Sequence, residues 1–118
     1  MFEIFKEFRF DAAHRLEVEG DPRYGRLHGH SFRARVFIRG EAHGPGWVAD
    51  LGEVERLLKK IADELDHRFL NEIPELGPPT LENLAQYIGE RLVPDLPGLT
   101  KVEVLRDACG EGCTYFRE

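Results

Sequence analysis

Arg26-Leu27-His28-Gly29-His30-Ser31-Phe32-Arg33-Ala34-Arg35-Val36-Phe37-Ile38-Arg39 carries two patterns in one run. From Phe32 onward, Phe32, Ala34, Val36 and Ile38 alternate with Arg33, Arg35, Phe37 and Arg39, the period of a strand with one buried face. His28 and His30 are in phase with Phe32, so a strand that begins early enough turns both imidazoles toward that face, with Gly29 leaving room beside them. Two imidazoles from one strand end suit a single metal ion. His14, in Phe10-Asp11-Ala12-Ala13-His14-Arg15-Leu16, becomes a third ligand if the strand before it pairs with the strand after His30. Three neutral imidazoles with no thiolate nearby favour a borderline divalent ion such as zinc, and three protein ligands leave a coordination position open, as in catalytic sites. Taken alone, His-Gly-His also reads as a turn and His14 as an ordinary polar residue.

Working outward, residues 2–10 alternate with Phe2, Ile4, Phe8 and Phe10 on one face, interrupted by Lys6. Strands over 2–10 and 31–39 are predicted to pair antiparallel. Glu41 to Gly46 is a turn by its glycines and proline, His43 is a solvated loop residue, and Trp47-Val48 resumes extended chain. Asp50 followed by Glu53 reads as a capping box for a helix over 51–65, whose stripe is Leu51, Val54, Leu57, Leu58, Ile61 and Leu65. Asn71 to Pro79, with three prolines and a glycine, is irregular. Thr80 caps a second helix with Leu81, Leu84, Ala85, Ile88 and Leu92 on one side, stopped by Pro94 and Pro97. Two short strands over 101–107 and 113–117 close the chain around a glycine-rich turn. The order ββααββ gives the α+β class with an antiparallel sheet.

The 118 residues are expected to form one domain, 1–118, small for an enzyme that must also build a deep pocket, so a site shared between subunits is anticipated. A formal charge of −6 argues against nucleic acid or an anionic membrane as the main partner, although Arg33, Arg35 and Arg39 form a local basic cluster. No apolar run approaches a membrane span, and Met1-Phe2-Glu3-Ile4 lacks a signal peptide's basic start, so a cytoplasmic protein is expected. Cys109 and Cys113 are expected to be free thiols in a reducing compartment, and their C-x-x-x-C spacing is a weak metal or redox signal.

Asp66-His67 follows the first helix. A carboxylate beside an imidazole sets its tautomer and raises its basicity, as general acid–base chemistry near neutral pH requires, yet adjacent residues rarely hydrogen-bond each other directly. Asp66 reads equally as a helix-end turn former and His67 as a satisfied polar residue. Glu82 lies in the first turn of the second helix, where the helix dipole favours negative charge.

Taken in order, Phe10-Asp11-Ala12-Ala13-His14-Arg15-Leu16, Leu27-His28-Gly29-His30-Ser31-Phe32, Asp50-Leu51, Leu65-Asp66-His67-Arg68-Phe69-Leu70-Asn71 and Pro79-Thr80-Leu81-Glu82-Asn83 resemble the 6-pyruvoyltetrahydropterin synthase / 6-carboxytetrahydropterin synthase family over essentially the whole chain. The resemblance implies the tunnelling fold, a four-stranded antiparallel sheet with two helices on one face, assembled into trimers stacked as a homohexamer. It implies Zn²⁺ held by His14, His28 and His30, a catalytic Asp66-His67 pair, and pterin recognition at a subunit interface by Asp107 with backbone groups near Thr80 and Glu82. Two positions depart from the family pattern. The family's synthase cysteine, the base four residues before the first histidine of His-Gly-His, is here Tyr24, either a catalytic substitute or a turn aromatic. An unperturbed tyrosine, with a pKa near 10, is a poor base at neutral pH. The family's pterin-gripping glutamate aligns on Asp107 only with a one-residue insertion, and Glu103 competes for the role.

The expected activity is a zinc-dependent lyase converting 7,8-dihydroneopterin triphosphate to 6-carboxytetrahydropterin, toward queuosine-type deazapurines, or to 6-pyruvoyltetrahydropterin. The alternatives are a cysteine-independent aldolase-type cleavage of the pterin side chain and a non-catalytic paralogue that binds zinc and a pterin.

Overall fold

The computed structural model describes residues 1–117, and its four strands lie in one antiparallel sheet in chain order. Strands β1 (Phe2–His14) and β2 (His28–Gly40) pair along their full lengths, from Phe2 opposite Gly40 to His14 opposite His28. Strands β3 (Leu99–Arg106) and β4 (Glu111–Phe116) complete the sheet, with one register shift between Phe37 and Ile38 where β2 meets β3. The expected α+β architecture, with two helices on one face of the sheet, is the one observed.

Both long strands begin or end beyond the predicted limits. β1 runs four residues past Phe10 because Asp11, Ala12, Ala13 and His14 find partners in Ser31, His30, Gly29 and His28. Cross-strand pairing overrides the weak strand preference of Asp and Ala. The buried positions of β1 are therefore Phe10, Ala12 and His14 at its C-terminal end, while Phe2 is exposed. β2 starts at His28, early enough to bring both of its histidines into the ladder.

Helix α1 spans Leu51–Leu65, as its stripe predicted, and buries Val54, Leu58, Ile61 and Leu65. Its cap is simpler than the predicted capping box: the Asp50 carboxylate accepts from the Gly52 N–H, and Glu53 pairs instead with Arg56. Helix α2 spans Leu81–Leu92, and the Thr80 hydroxyl accepts from the Asn83 N–H. The segment between the helices forms two 3-10 turns, Leu70–Glu72 and Pro74–Leu76, and inserts Leu70, Ile73 and Leu76 into the core. Under α2, a Cβ on Gly89 would lie 2.9 Å from the Tyr115 ring, so the glycine sets how closely the helix approaches β4. The helix-facing side of the sheet supplies Phe32, Ala34, Val36, Ile38, Val102 and Val104.

The opposite side is charged. Arg33 and Arg35 reach Glu7 at 3.6 and 3.3 Å, and Lys101 reaches Glu3 at 3.4 Å, so most of the local basic cluster is neutralised in place. Among the described residues, no helix is long and apolar enough to cross a membrane.

Candidate functional site

The pairing of β1 with β2 sets His14 opposite His28 and Ala12 opposite His30, and one ring nitrogen of each histidine lies within 4.8 Å of the others. The rings stand nearly perpendicular to one another, with centroids 4.6 to 4.9 Å apart. Phe32, stacked on Phe10 at 4.9 Å, meets His30 and His14 edge-on from below. His14 is buried and sits over the core.

The hydrogen bonds assign the tautomers of two of the rings. His14 Nδ1 donates to the Pro79 carbonyl at 2.9 Å and His28 Nδ1 to the Arg26 carbonyl at 2.7 Å. A carbonyl only accepts, so Nδ1 carries the proton in both rings and each Nε2 presents a lone pair. These two Nε2 atoms are 3.0 Å apart. Two lone pairs at that distance repel unless a cation lies against both. A proton on the His14 ring is disfavoured, because burial, opposed by the Pro79 hydrogen bond and reinforced by the neighbouring His28 and Arg106 charges, pushes the His14 pKa below its ordinary value. Burial, followed by Arg106, brings His30 down to about 4. Neutral imidazoles with converging lone pairs are the donor set of a divalent transition-metal site.

The cluster opens into a cleft of about 510 Å³ lined also by Arg23, Tyr24, Arg26, Arg106, Cys109 and Glu111. Tyr24 is thus in the cleft with the histidines, half exposed, and its loop is closed by a Leu16 N–H to Tyr24 carbonyl bond of 2.6 Å. Arg106 extends the inward phase of Val102 and Val104 on β3. It pairs with Glu111, and its Nε is buried without a protein partner among the described residues. The sequence reading missed Arg106 and Glu111; the signal available for Arg106 was its phase on β3.

Asp66 and His67 are held elsewhere. His67 N–H donates to the Asp11 carbonyl at 2.7 Å, and Ala13 N–H donates to the Arg68 carbonyl at 2.9 Å, tying the segment to the outer edge of β1. His67 takes a left-handed backbone, φ 59°, which folds its ring back onto the preceding residue. Contrary to expectation for neighbours, His67 Nδ1 lies 3.0 Å from Asp66 Oδ2. Asp66 Oδ1 accepts from the Asp11 N–H at 2.9 Å, and that bond, ahead of the His67 contact, holds the carboxyl below its ordinary pKa. His67 borders a second cleft, lined also by Asp11, Ala13, Gly29 and Ser31, and His30 lies between the two clefts and lines both.

The predicted ring-binding residues are not gathered with the histidines. Thr80 lines a neighbouring cleft with Arg15, Asn71 and Pro79, and Glu82 is exposed on the first turn of α2. Asp107 lies in the 3-10 turn after β3, where it accepts two bonds from Arg33, 2.9 and 3.0 Å, and the Arg33 guanidinium holds its carboxyl below the usual range. Both of its oxygens are therefore engaged by Arg33. Glu103, the competing carboxylate, has one long contact to Arg35 at 3.8 Å. His43 is a loop residue, as expected, and its Nε2 donates to the Val48 carbonyl.

Comparison with known proteins agrees with this geometry. A sequence model described as 6-pyruvoyl tetrahydropterin synthase matches residues 3–118. The chain is 40% identical over 124 residues to 6-carboxy-5,6,7,8-tetrahydropterin synthase of Synechocystis sp., covering 98% of this chain and 94% of that one. It is also 40% identical over 96 residues to dihydroneopterin monophosphate aldolase of Pyrococcus furiosus, covering 81% and 79%. The 6-pyruvoyl tetrahydropterin synthase of Caenorhabditis elegans superposes with a TM-score of 0.84 at 27% identity, over 99% of this chain and 96% of the other. The paired strands that carry the imidazoles, the helices behind them and the match along nearly the whole chain make this protein a member of the 6-pyruvoyl tetrahydropterin synthase family.

Proposed function

We propose that the protein is a zinc-dependent pterin lyase that cleaves or rearranges the phosphorylated side chain of 7,8-dihydroneopterin. The observation that carries this reading is the pair of His14 and His28 lone pairs facing each other at 3.0 Å, with His30 beside them, in a cleft that also holds Arg23, Arg26 and Arg106. His14, His28 and His30 would hold the ion. A zinc ion there supplies Lewis acidity toward the side-chain hydroxyls. The arginines suit the phosphates, since guanidinium groups pair with phosphate oxygens in a fixed fork.

Proton transfer falls to Asp66 and His67. The Asp66 carboxylate keeps the proton of His67 on Nδ1 and leaves Nε2 to take or release a proton at the substrate. His30 lines both clefts, so the pair and the histidine cluster adjoin, and His67 stands at the outer edge of β1, where a second copy of the chain in a ring-shaped homotrimer or homohexamer would complete the site. Ring orientation is assigned to backbone groups near Thr80 and Glu82 and to a carboxylate near the end of β3. Asp107 serves only where Arg33 releases it, and Glu103 is the freer of the two.

The lead reaction is formation of 6-carboxytetrahydropterin from the triphosphate, a step toward queuosine-type deazapurines. Aldolase-type cleavage to 6-hydroxymethyl-dihydropterin is the second reading. It is favoured by Tyr24 at the family's cysteine position in the cleft and by the similarity to the Pyrococcus furiosus aldolase. Incubating the zinc-loaded protein with 7,8-dihydroneopterin triphosphate and, separately, with the monophosphate, then identifying the pterin by mass, distinguishes the two. No product from either substrate, with zinc bound, would leave a non-catalytic binding protein.

A further inference from the structure

Two of the three imidazoles in the cluster have the same support: His14 Nδ1 donates to the Pro79 carbonyl and His28 Nδ1 to the Arg26 carbonyl. His30 has a different neighbour. Its Nδ1 lies 4.0 Å from the sulfur of Cys109, within reach of a sulfur acceptor. A histidine ligand is oriented by what its second ring nitrogen bonds to, and that partner also decides which nitrogen keeps the proton.

We infer that Cys109 is a positioning residue of the metal centre: its sulfur accepts the Nδ1–H of His30 and so leaves Nε2 of His30 as the third ligand. The inference rests on the reading of the three histidines as a metal site. Cys109 is suited to the task because its turn is anchored. The 3-10 turn Asp107–Cys109 is held at its start by the Arg33 fork on Asp107 and at its end by the Gly110 N–H to Asp107 carbonyl bond of 3.1 Å. Gly110 takes φ 66°, a left-handed backbone that glycine adopts freely, and returns the chain into β4 directly after the thiol. The Arg33–Asp107 pair thereby acquires a purpose at the metal cleft: it fixes the turn that carries Cys109. Cys113 is not an alternative partner, since on β4 it pairs with Val104 of β3 and packs against the core.

The test compares the wild type with Cys109→Ala, Cys109→Asn and His28→Ala. Zinc affinity is measured by competition with a chromophoric chelator, and the metal-free melting temperature of each protein is recorded alongside. Cys109→Ala is expected to weaken zinc binding about tenfold or more, the usual effect of losing an outer partner of a ligand histidine. Its metal-free melting temperature should be unchanged. Cys109→Asn offers a carbonyl oxygen like those serving His14 and His28 and is expected to recover most of the loss. Nitrogen-15 spectra of the zinc form should show His30 protonated on Nδ1. Equal zinc affinity in wild type and Cys109→Ala overturns the inference, as does an alanine defect that asparagine leaves in place. An intense thiolate-to-metal band in the cobalt-loaded wild type, lost in Cys109→Ala, also overturns it, because sulfur would then be a ligand itself. Failure of the metal reading looks different: the wild type would bind zinc no better than His28→Ala.

Discussion

Phe32→Ala removes the ring on which the imidazole cluster rests. Phe32 is 2% exposed, stacks on Phe10 with an interplanar angle of 12°, and meets His30 and His14 edge-on at 5.7 and 6.4 Å. Truncating a buried phenylalanine costs about 3–5 kcal/mol through lost transfer energy and the cavity left behind. Here the value should be no lower than the middle of that range, about 4 kcal/mol, because the neighbours are a strand ladder and a second ring that cannot collapse inward to fill the cavity. For a domain of this size, 1 kcal/mol corresponds to about 4 °C, so the metal-free protein should melt about 16 °C lower. Phe32→Leu, which keeps most of the volume, should cost about 1–1.5 kcal/mol. The imidazoles lose their floor in the alanine variant, and zinc affinity measured well below its melting temperature should fall about tenfold, as when a ligand's outer support is removed. Calorimetry at fixed protein concentration and a chelator competition read the two effects separately. An alanine variant melting within 4 °C of the wild type would refute the argument that this ring is the packed base of the site.

Asp66→Asn should lower kcat by about 10²–10⁴ with little change in KM, because the amide oxygen can keep the Asp11 N–H while its NH₂ faces His67 Nδ1 and forces the wrong tautomer; activity near that of the wild type would remove the pair from the mechanism. Tyr24→Phe should lower kcat by a similar ~10²–10⁴ and leave zinc binding intact, since the loop is held by backbone bonds to Leu16 and Asp21 that the substitution does not touch; unchanged turnover would reduce Tyr24 to a turn aromatic. Acid should destabilise the metal-free protein. His30 has a folded pKa of about 4 against an ordinary 6.5, and His14 is shifted the same way, so between those values the unfolded chain binds more protons. Stability then rises with pH across that window and levels off above it, which urea unfolding at a series of pH values between 4 and 7.5 would reveal, and a flat profile would contradict.

Much of this architecture could be read from local signals. Helix α1 begins and ends where its stripe and Asp50 indicated, because an amphipathic period and a cap are properties of neighbouring residues. The histidine cluster was legible for a related reason: His28 and His30 share the phase of Phe32, and only the pairing with β1 had to be supplied. What remained hidden depends on distant contacts. The extension of β1 to His14 is imposed by β2, and the Asp66–His67 hydrogen bond exists because β1 pins a left-handed residue against its edge. Arg106, Glu111 and Cys109 reach the cleft only once the β3–β4 turn closes, and the Arg33 fork on Asp107 joins residues 74 positions apart.

The order of the sheet places one of its two longest strands at one boundary and its shortest at the other. Apart from the bonds that the 67–69 segment makes near Asp11 and Ala13, the outer rim of β1 offers a row of peptide groups with nothing in the sheet beside them, and β4 offers a second, unlike row. Unlike rows can join head to tail, and such a contact has no internal stopping rule: it closes into a ring when the rotation is right and otherwise grows. A solitary subunit is therefore a sticky object rather than a quiescent one. A lesion that altered the rotation at such a contact would reveal itself as precipitation or fibre growth at high protein concentration before any loss of secondary structure became visible.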